Sequence, residues 1–147
     1  MLTSYRAITP ADVDDIVDVL CAVADNPGMA ADFRHDALEQ VRGEIPDSIT
    51  YVILLDDHKI GRLRAVRTAG YIEIAGLQIH PDWQGRGAGT AVINSILREG
   101  ERAGLPVELD VDQENHAAQR LYARLGFEVV GTTDRDYRMR YLGPESR

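Results

Sequence analysis

The chain has 147 residues, 44% apolar and 27% charged, which is ordinary for one globular domain and excludes collagen-like and wholly disordered proteins. Its 16 basic and 24 acidic residues give a net charge of −8, and no basic cluster suggests a nucleic-acid partner. No apolar run approaches the ~20 residues of a membrane span, and the single cysteine, Cys21, fits a reducing compartment. We therefore expect one cytoplasmic domain over residues 1–147, with neither a membrane nor a nucleic-acid partner.

The first half of the chain predicts a strand, two helices and a set of antiparallel strands. Tyr5–Ile8 has the pattern of a short strand, and the following Thr9-Pro10-Ala11-Asp12 is typical of a helix start. Apolar residues at helical spacing continue to Ala24, where Asn26-Pro27-Gly28 ends the helix, and a second helix is expected over about 29–43. The predicted strands that follow are Tyr51–Leu55, Ile60–Thr68 and Tyr71–Ile79.

The second half predicts a strand–helix–strand unit followed by a hairpin. Apolar spacing predicts a helix from Gly89 to Ala103, then a strand over Val107–Val111 and a second helix over 115–125. Phe127–Thr132 and Tyr137–Tyr141 complete the set as the predicted hairpin. The order of elements indicates a mixed α/β (α+β) domain whose sheet is mostly antiparallel.

A glycine-rich turn, Gln84-Gly85-Arg86-Gly87-Ala88-Gly89, lies between a predicted strand and a predicted helix. The first turn of a helix has unpaired N–H groups and partial positive charge, and glycines let a bulky anion approach them. We therefore predict a pyrophosphate site here, to which Arg86 adds a charged hydrogen bond. The turn lacks the Lys-Ser or Lys-Thr of a Walker A loop, and its G-x-G-x-G spacing differs from the dinucleotide fingerprint.

Two segments together resemble the GNAT superfamily of acetyl-CoA-dependent N-acetyltransferases. The first runs from Ile74-Ala75-Gly76-Leu77-Gln78-Ile79-His80-Pro81 through the glycine-rich turn. The second is the stretch from Asn115 to Phe127, with Tyr122 within it and Gly126-Phe127 at its end. The likeness covers about the last 75 residues in order and spacing, whereas the first 50 residues match only in outline.

The resemblance implies a GNAT-like fold, in which a twisted, mostly antiparallel sheet flanked by helices splays open between the strand ending at Ile79 and the strand at 107–111. Acetyl-CoA, the implied co-substrate, would lie in that split. Its pantetheine arm would contact the backbone of the strand end and the side chain of Asn115, and its pyrophosphate would take the amides of the turn. The implied contacts are Leu77, Gln78, Ile79, Gln84, Gly85, Arg86, Gly87, Ala88, Gly89, Thr90 and Asn115.

Two side chains are candidates for the catalytic proton transfers. The resemblance places Tyr122 near the sulfur; its reference pKa of about 10 exceeds that of a thiol, about 8.5, so it can protonate the leaving thiolate. Glu73 lies eleven positions before Gln84, the spacing of a catalytic glutamate in the histone-acetylating branch, and we expect it to act as general base, directly or through water. We also expect Glu73 to share a strand face with Leu77 and Ile79. Core packing for Tyr122 and a solvated carboxylate or ammonium binder for Glu73 are the alternatives.

The acceptor is expected to be the primary amine of a small molecule, which attacks the thioester directly in a ternary complex. Acidic residues after the fourth main strand (Asp110, Asp112 and Glu114) and within 25–50 are expected to flank the mouth that receives it. An acetylase of protein N-termini or lysines and a non-catalytic acyl-CoA-binding module stay open as alternatives. No histidine has metal-ligand spacing, so no metal is expected, and a homodimer is one assembly state left open.

Overall fold

The protein is described from a computed structural model, and the structure describes residues 2–143. Its strands and helices, in chain order, are β1 (Thr3–Ala7), α1 (Val13–Ala24), α2 (Ala30–Arg42), β2 (Ser48–Leu55), β3 (His58–Arg67), β4 (Ile72–Ile79), α3 (Ala88–Ala103), β5 (Val107–Asp112), α4 (His116–Leu125), β6 (Glu128–Thr132) and β7 (Asp136–Tyr141). Within the described part of the chain, none of these helices has the length and apolar character needed to cross a membrane.

The predicted helices are confirmed, and their ends follow the expected local chemistry. Gly104 ends α3 with a φ of +69°, a left-handed conformation that glycine adopts without strain. Before α1, a short 3-10 turn over Pro10–Asp12 replaces the first helical turn, and the Asp12 carboxylate accepts bonds from the amide and hydroxyl of Thr9, at 2.8 and 2.9 Å. Strand β2 begins three residues before the predicted Tyr51, at Ser48.

One sheet of seven strands, in the order β1-β2-β3-β4-β5-β7-β6, organises the described residues. Neighbouring strands are antiparallel except β4 and β5, which are parallel and paired only at Ile72–Val107, Glu73–Glu108 and Ile74–Leu109. Beyond Ile74 the two strands separate. The splayed, mostly antiparallel sheet predicted from the sequence is therefore confirmed.

Helices cover the sheet on two sides, which we call the α3 face and the α1 face. On the α3 face, helices α3 and α4 pack on a large apolar core whose fully buried members include Leu63, Ile72 and Ile93. On the α1 face, helices α1 and α2 pack on a smaller core that includes Ile16 and Val52. Each face therefore has its own apolar cluster, and the split between β4 and β5 lies between them.

A β-bulge in β4 corrects the predicted position of Glu73. The register joins Arg64 to Gly76 but Ala65 to Ile74, which leaves Ala75 as an extra residue. Because one extra residue reverses the alternation of side chains, Ile74 and Leu77 both pack on the α3-face core. Glu73 therefore lies on the α1 face, opposite Leu77 and Ile79, and the predicted shared face is wrong.

Ion pairs anchor the start of α1 to the sheet. The Asp12 side chain is only 1% exposed, and its carboxylate accepts two bonds from Arg6, at 2.8 and 3.0 Å, while Lys59 lies 2.8 Å away. The bonds from Arg6, followed by those from Lys59 and Thr9, outweigh burial and hold the pKa of Asp12 well below its usual range. Asp12 is therefore charged at neutral pH and ties β1 and β3 to the helix.

Candidate active site

The glycine-rich turn presents a run of unpaired backbone donors. The six amides from Gly85 to Thr90 form no hydrogen bond to any residue of the described range, and the first amide of α3 paired to the turn is that of Ala91, with Gly87 at 3.0 Å. Gly85 and Gly87 have φ values of +78° and +81°, which curl the turn into a concave row of N–H groups. Together with the partial positive charge of the helix start, this row suits a pyrophosphate.

Side chains of the turn fold back on it and fix its shape. The Gln84 side-chain amide donates to the backbone carbonyl of Ile79 at 2.9 Å. The guanidinium of Arg86 lies 4.7 Å from the ring centre of Trp83 and donates to the carbonyl of Asp82 at 3.4 Å. His80, whose Nδ1 accepts from the Asp82 amide at 3.1 Å, also belongs to this turn. The phosphate contact predicted for Arg86 stays a prediction.

The open edge of β4 adjoins this turn. His80 donates its amide across the sheet to Ile60 at 2.8 Å, so the peptide groups of Ile79 and Leu77 turn to the opposite edge, which borders the split. The peptide of Leu77 is thus placed as an added strand would need it. Gln78 turns the other way: its peptide faces β3, and its side chain accepts a bond from Arg62 at 2.9 Å.

A cavity of about 230 Å³ joins these features to α4. Its lining residues come from the end of β4, the turn and α4: Ile79, Trp83, Gln84, Gly85, Gly87, Ala88, Gly89, Thr90 and Leu121. The donor row, the open strand edge and the cavity fit the elongated, phosphate-bearing coenzyme A that the sequence analysis expected.

Tyr122 follows Leu121 on α4 and packs on the α3-face core, with its ring 5.8 Å from that of Phe127. Burial raises the pKa of Tyr122, so the phenol stays protonated at neutral pH. Its hydroxyl forms no hydrogen bond to any residue between 2 and 143, and the cavity is lined by the preceding Leu121. At the start of α4, Asn115 caps the helix, with Oδ1 accepting from the Ala118 amide at 3.2 Å, and its side-chain NH₂ is left unpaired within that same range.

Glu73 belongs to a charged group on the α1 face that we call the Arg138 cluster: Glu73, Glu108, Asp110, Arg138 and Arg140. Arg138 forms a short ion pair with Glu73, bonds Glu108 at 2.9 Å and lies 3.3 Å from Asp110. Arg140 bonds Glu108 at 3.1 Å. Burial alone would lower the pKa of Arg138, but the bonds to Glu73 and Glu108 raise it above its ordinary value. Three carboxylates and two guanidinium groups leave a net charge of −1.

Sequence reasoning identified Glu73 and Asp110 of this cluster but missed Glu108 and both arginines. Asp110 was expected near the acceptor mouth, and the structure places it beside Glu73. Arg138 is 65 positions from Glu73 and reaches it only because β5 lies between β4 and β7. Among the described residues no group of three His, Cys, Asp or Glu side chains is arranged to hold a metal.

Comparisons with known proteins agree with this geometry. The model of the Acetyltransferase (GNAT) family matches residues 16–127. The mycothiol acetyltransferase of Nocardiopsis dassonvillei is 46% identical over 61 residues, which are 41% of this chain and 18% of that protein. An uncharacterised N-acetyltransferase of Mycobacterium tuberculosis is 39% identical over 62 residues, 42% of this chain and 40% of that protein. The matched region is thus less than half the length of these curated relatives.

A solved structure shows the same fold over nearly the whole chain. The PaiA N-acetyltransferase of Thermoplasma acidophilum, crystallised with coenzyme A, superposes with a TM-score of 0.78 at 15% identity, covering 97% of this chain and 100% of that one. The family model covers most of the sequence, and both the splayed sheet and the glycine-rich turn lie where the resemblance placed them. The chain therefore belongs to the acetyltransferase (GNAT) family of enzymes.

Proposed function

We propose that the protein is an N-acetyltransferase that moves the acetyl group of acetyl-CoA to the primary amine of a small molecule. The observation that carries the proposal is the row of six unpaired amides over residues 85–90, beside the open edge of β4. The name of the partial relative, mycothiol acetyltransferase, supports a small-molecule acceptor. The coenzyme would contact the peptides of Leu77 and Ile79, the turn from Gln84 to Thr90, and Asn115.

The two candidate residues would move the protons that the reaction requires. Acetyl-CoA supplies a thioester, whose C–S bond breaks as the amine nitrogen bonds to the carbonyl carbon. The acceptor ammonium must first lose a proton, which Glu73 would take through a water molecule, because its carboxylate is also bound to Arg138. The thiolate that leaves would take the phenolic proton of Tyr122. The attacking nitrogen loses its second proton as the amide forms, and that proton would restore the phenol of Tyr122.

The charges of the α1 face support attack from that side. The net charge of −1 on the Arg138 cluster attracts an ammonium, and Glu73 projects to the face opposite the side chains that pack below α3. The coenzyme would thus approach the split from the α3 side and the acceptor from the α1 side. This arrangement favours a ternary complex over an acetylated enzyme.

Calorimetry with matched glycine variants tests the proposal. In Gly87→Ala, a Cβ opposes a φ of +81°, which costs about 1 kcal/mol or more and distorts the donor row. We expect affinity for acetyl-CoA to fall at least about tenfold. Gly104→Ala has a similar strain, at φ +69°, but lies at the other end of α3 and should bind as the unchanged protein does.

If folded wild-type protein shows no saturable binding of acetyl-CoA, the proposed function is wrong. If both variants bind it equally, the pyrophosphate site is elsewhere. Product analysis by mass spectrometry with small amines and with peptides then separates a small-molecule acceptor from a protein N-terminus or lysine. A cytoplasmic location and a homodimer remain predictions, and sedimentation of the purified protein checks the latter.

A further inference from the structure

A second, smaller cavity lies on the α1 face, between α1, α2 and the sheet. Its volume is about 100 Å³, enough for a group of a few heavy atoms. Apolar side chains of the two helices form part of the lining, and the polar lining residues include Gln40 of α2 and Arg62 and Arg64 of β3. None of these polar residues has a role in the chemistry described above.

The two guanidinium groups carry positive charge that no carboxylate of the described residues neutralises in hydrogen-bonding contact, although the exposed Asp36 acts on Arg62 from a distance. Arg62 donates through Nε to Gln78 and Arg64 through Nε to Ser48, both at 2.9 Å, and both acceptors are uncharged. No carboxylate of residues 2–143 lies within 4.0 Å of either guanidinium. Burial, and secondarily the charge of Arg64, lowers the pKa of Arg62 to about 10. Buried charge without a counterion is costly, which favours binding of an anion.

Gln40 adds a third unpaired donor to the same cavity. Its Oε1 accepts bonds from the hydroxyls of Ser48 and Thr50, at 3.1 and 2.8 Å, which fixes the side-chain amide. Its buried Nε2 has no hydrogen-bond partner. Donors from α2 and β3 thus converge where no protein acceptor is supplied, and each buried donor left unpaired costs about 1–3 kcal/mol.

The position of Arg62 connects this cavity to the acceptor side of β4. Its guanidinium occupies the space where a Cβ on Gly76 would lie, so it rests directly on the strand next to the bulge. Glu73 lies three residues away on the same face, about 10 Å along a strand. A positive pocket and a negative cluster therefore share one face of β4.

From this juxtaposition we propose that the acceptor is a small aminocarboxylate whose amine is several bonds from its carboxylate, such as an ω-amino acid, with the carboxylate bound by Arg62, Arg64 and Gln40 and the amine at the Arg138 cluster. The inference rests on the proposed function and narrows its acceptor class. Two adjacent guanidinium groups would repel a polyamine. Asp36, an exposed carboxylate that also lines the cavity, competes weakly with the bound anion.

Rates of acetyl transfer to ω-amino acids and to their carboxamides test the proposal. We expect kcat/KM for the best acid to exceed that for its amide by about 10- to 100-fold, the range for hydrogen bonds to a charged group. Arg64→Gln should abolish this preference by lowering kcat/KM for the acid far more than for the amide, and Asp36→Asn should increase it. Arg98→Gln, which removes an exposed arginine of α3, is the control and should leave the preference intact.

A binding measurement without turnover separates the outcomes. The best acid should raise Tm of the wild-type protein, whereas its amide should not, and Arg64→Gln should lose the shift. Equal transfer to acids and amides overturns the aminocarboxylate assignment and leaves the acetyltransferase intact. Stabilisation by acetate alone, with no acid preference in transfer, shows a free-anion site and also overturns it. Binding of acetyl-CoA with no transfer to any amine instead overturns the proposed function.

Discussion

The two sides of the β4–β5 split are built from different kinds of chemical group. On the coenzyme side, the donors are backbone amides of residues 85–90, which are held by the turn and the start of α3. On the acceptor side, the charges belong to side chains of β3, β4, β5 and β7, paired across the sheet. Backbone donors suit a ligand part that never varies, whereas side chains can change without altering the fold.

Because of this difference, we expect the two sides to respond differently to mutation and to pH. The row of amides has no titratable group and depends on two left-handed glycines. The acceptor side depends on carboxylates and guanidinium groups, and α1, which covers it, is fixed by the buried Asp12. We therefore expect acid and charge substitutions to damage acceptor use before they damage coenzyme affinity.

The largest effect is expected for Tyr122→Phe, because the proposed role of Tyr122 is to protonate the thiolate released from the bond being broken. Without a phenolic proton, the thiolate must leave unprotonated, and kcat should fall about 100-fold or more. Affinity for acetyl-CoA should change little because the ring remains on the core. Steady-state product assays measure kcat, and calorimetry measures the affinity for acetyl-CoA.

Tyr5→Phe is the matched control for this substitution. Tyr5 is bonded to Ser95 at 2.8 Å, on the far side of α3, and its loss should leave kcat unchanged. Turnover of Tyr122→Phe equal to that of wild type would assign Tyr122 to core packing alone.

A smaller effect is expected for Glu73→Gln, which removes one carboxylate from the Arg138 cluster. We expect a loss of about 30-fold in kcat/KM for the acceptor, less than the ~100-fold typical of a general base because Glu73 acts through water, and no loss in acetyl-CoA affinity. The loss should be greatest at low pH, where the acceptor amine is hardest to deprotonate. A pH–rate profile with the same slope in variant and wild type would leave Glu73 as a binder of the ammonium.

The smallest effect is a loss of stability in Asp12→Asn, which should leave the coenzyme side intact. We expect the free energy of unfolding to fall by about 2 kcal/mol at pH 7. The loss is smaller than for a fully buried pair because Arg6 and Lys59 are partly exposed. Since the folded pKa of Asp12 is depressed, this stability is present above about pH 4 and is lost as the pH falls further.

Urea unfolding at pH 7 and at pH 3 measures the difference between Asp12→Asn and wild type, which should shrink at the lower pH. Asp14→Asn, which removes an exposed pair with Arg34, should change stability by less than about 0.5 kcal/mol at either pH. If the difference in unfolding free energy between wild type and Asp12→Asn stays constant with pH, the charge of Asp12 is not the source of the stability.

Sequence patterns predicted the coenzyme side much better than the acceptor side. Glycines and helix ends are local signals, so the start of α3 at Ala88 lies one residue from the predicted Gly89. The sequence predicted the wrong face for Glu73 because a two-residue alternation cannot account for the extra residue at Ala75. Partners such as Arg138 are brought to Glu73 by strand order, which no short segment encodes.

The start of β2 was missed for a related reason. Ser48 and Thr50 are polar, so the apolar pattern predicted a strand only from Tyr51, yet both are buried because their hydroxyls bond Gln40 of α2. The same two bonds orient the Gln40 side chain so that its Nε2 faces the small cavity. The residues that weakened the strand prediction are thus those that shape the proposed carboxylate pocket.

Because of the extra residue, the two ends of β4 would contact different ligands on opposite faces of the sheet. Under the proposed function, residues after Ala75 would offer their peptide edge to the thioester donor, while Glu73, before it, would reach the amine from the other side of the sheet. The residues that would select the acceptor and those that would hold the coenzyme therefore do not overlap. A designer could exchange the first set, on β3 and β7, for that of another family member and retain the donor unchanged.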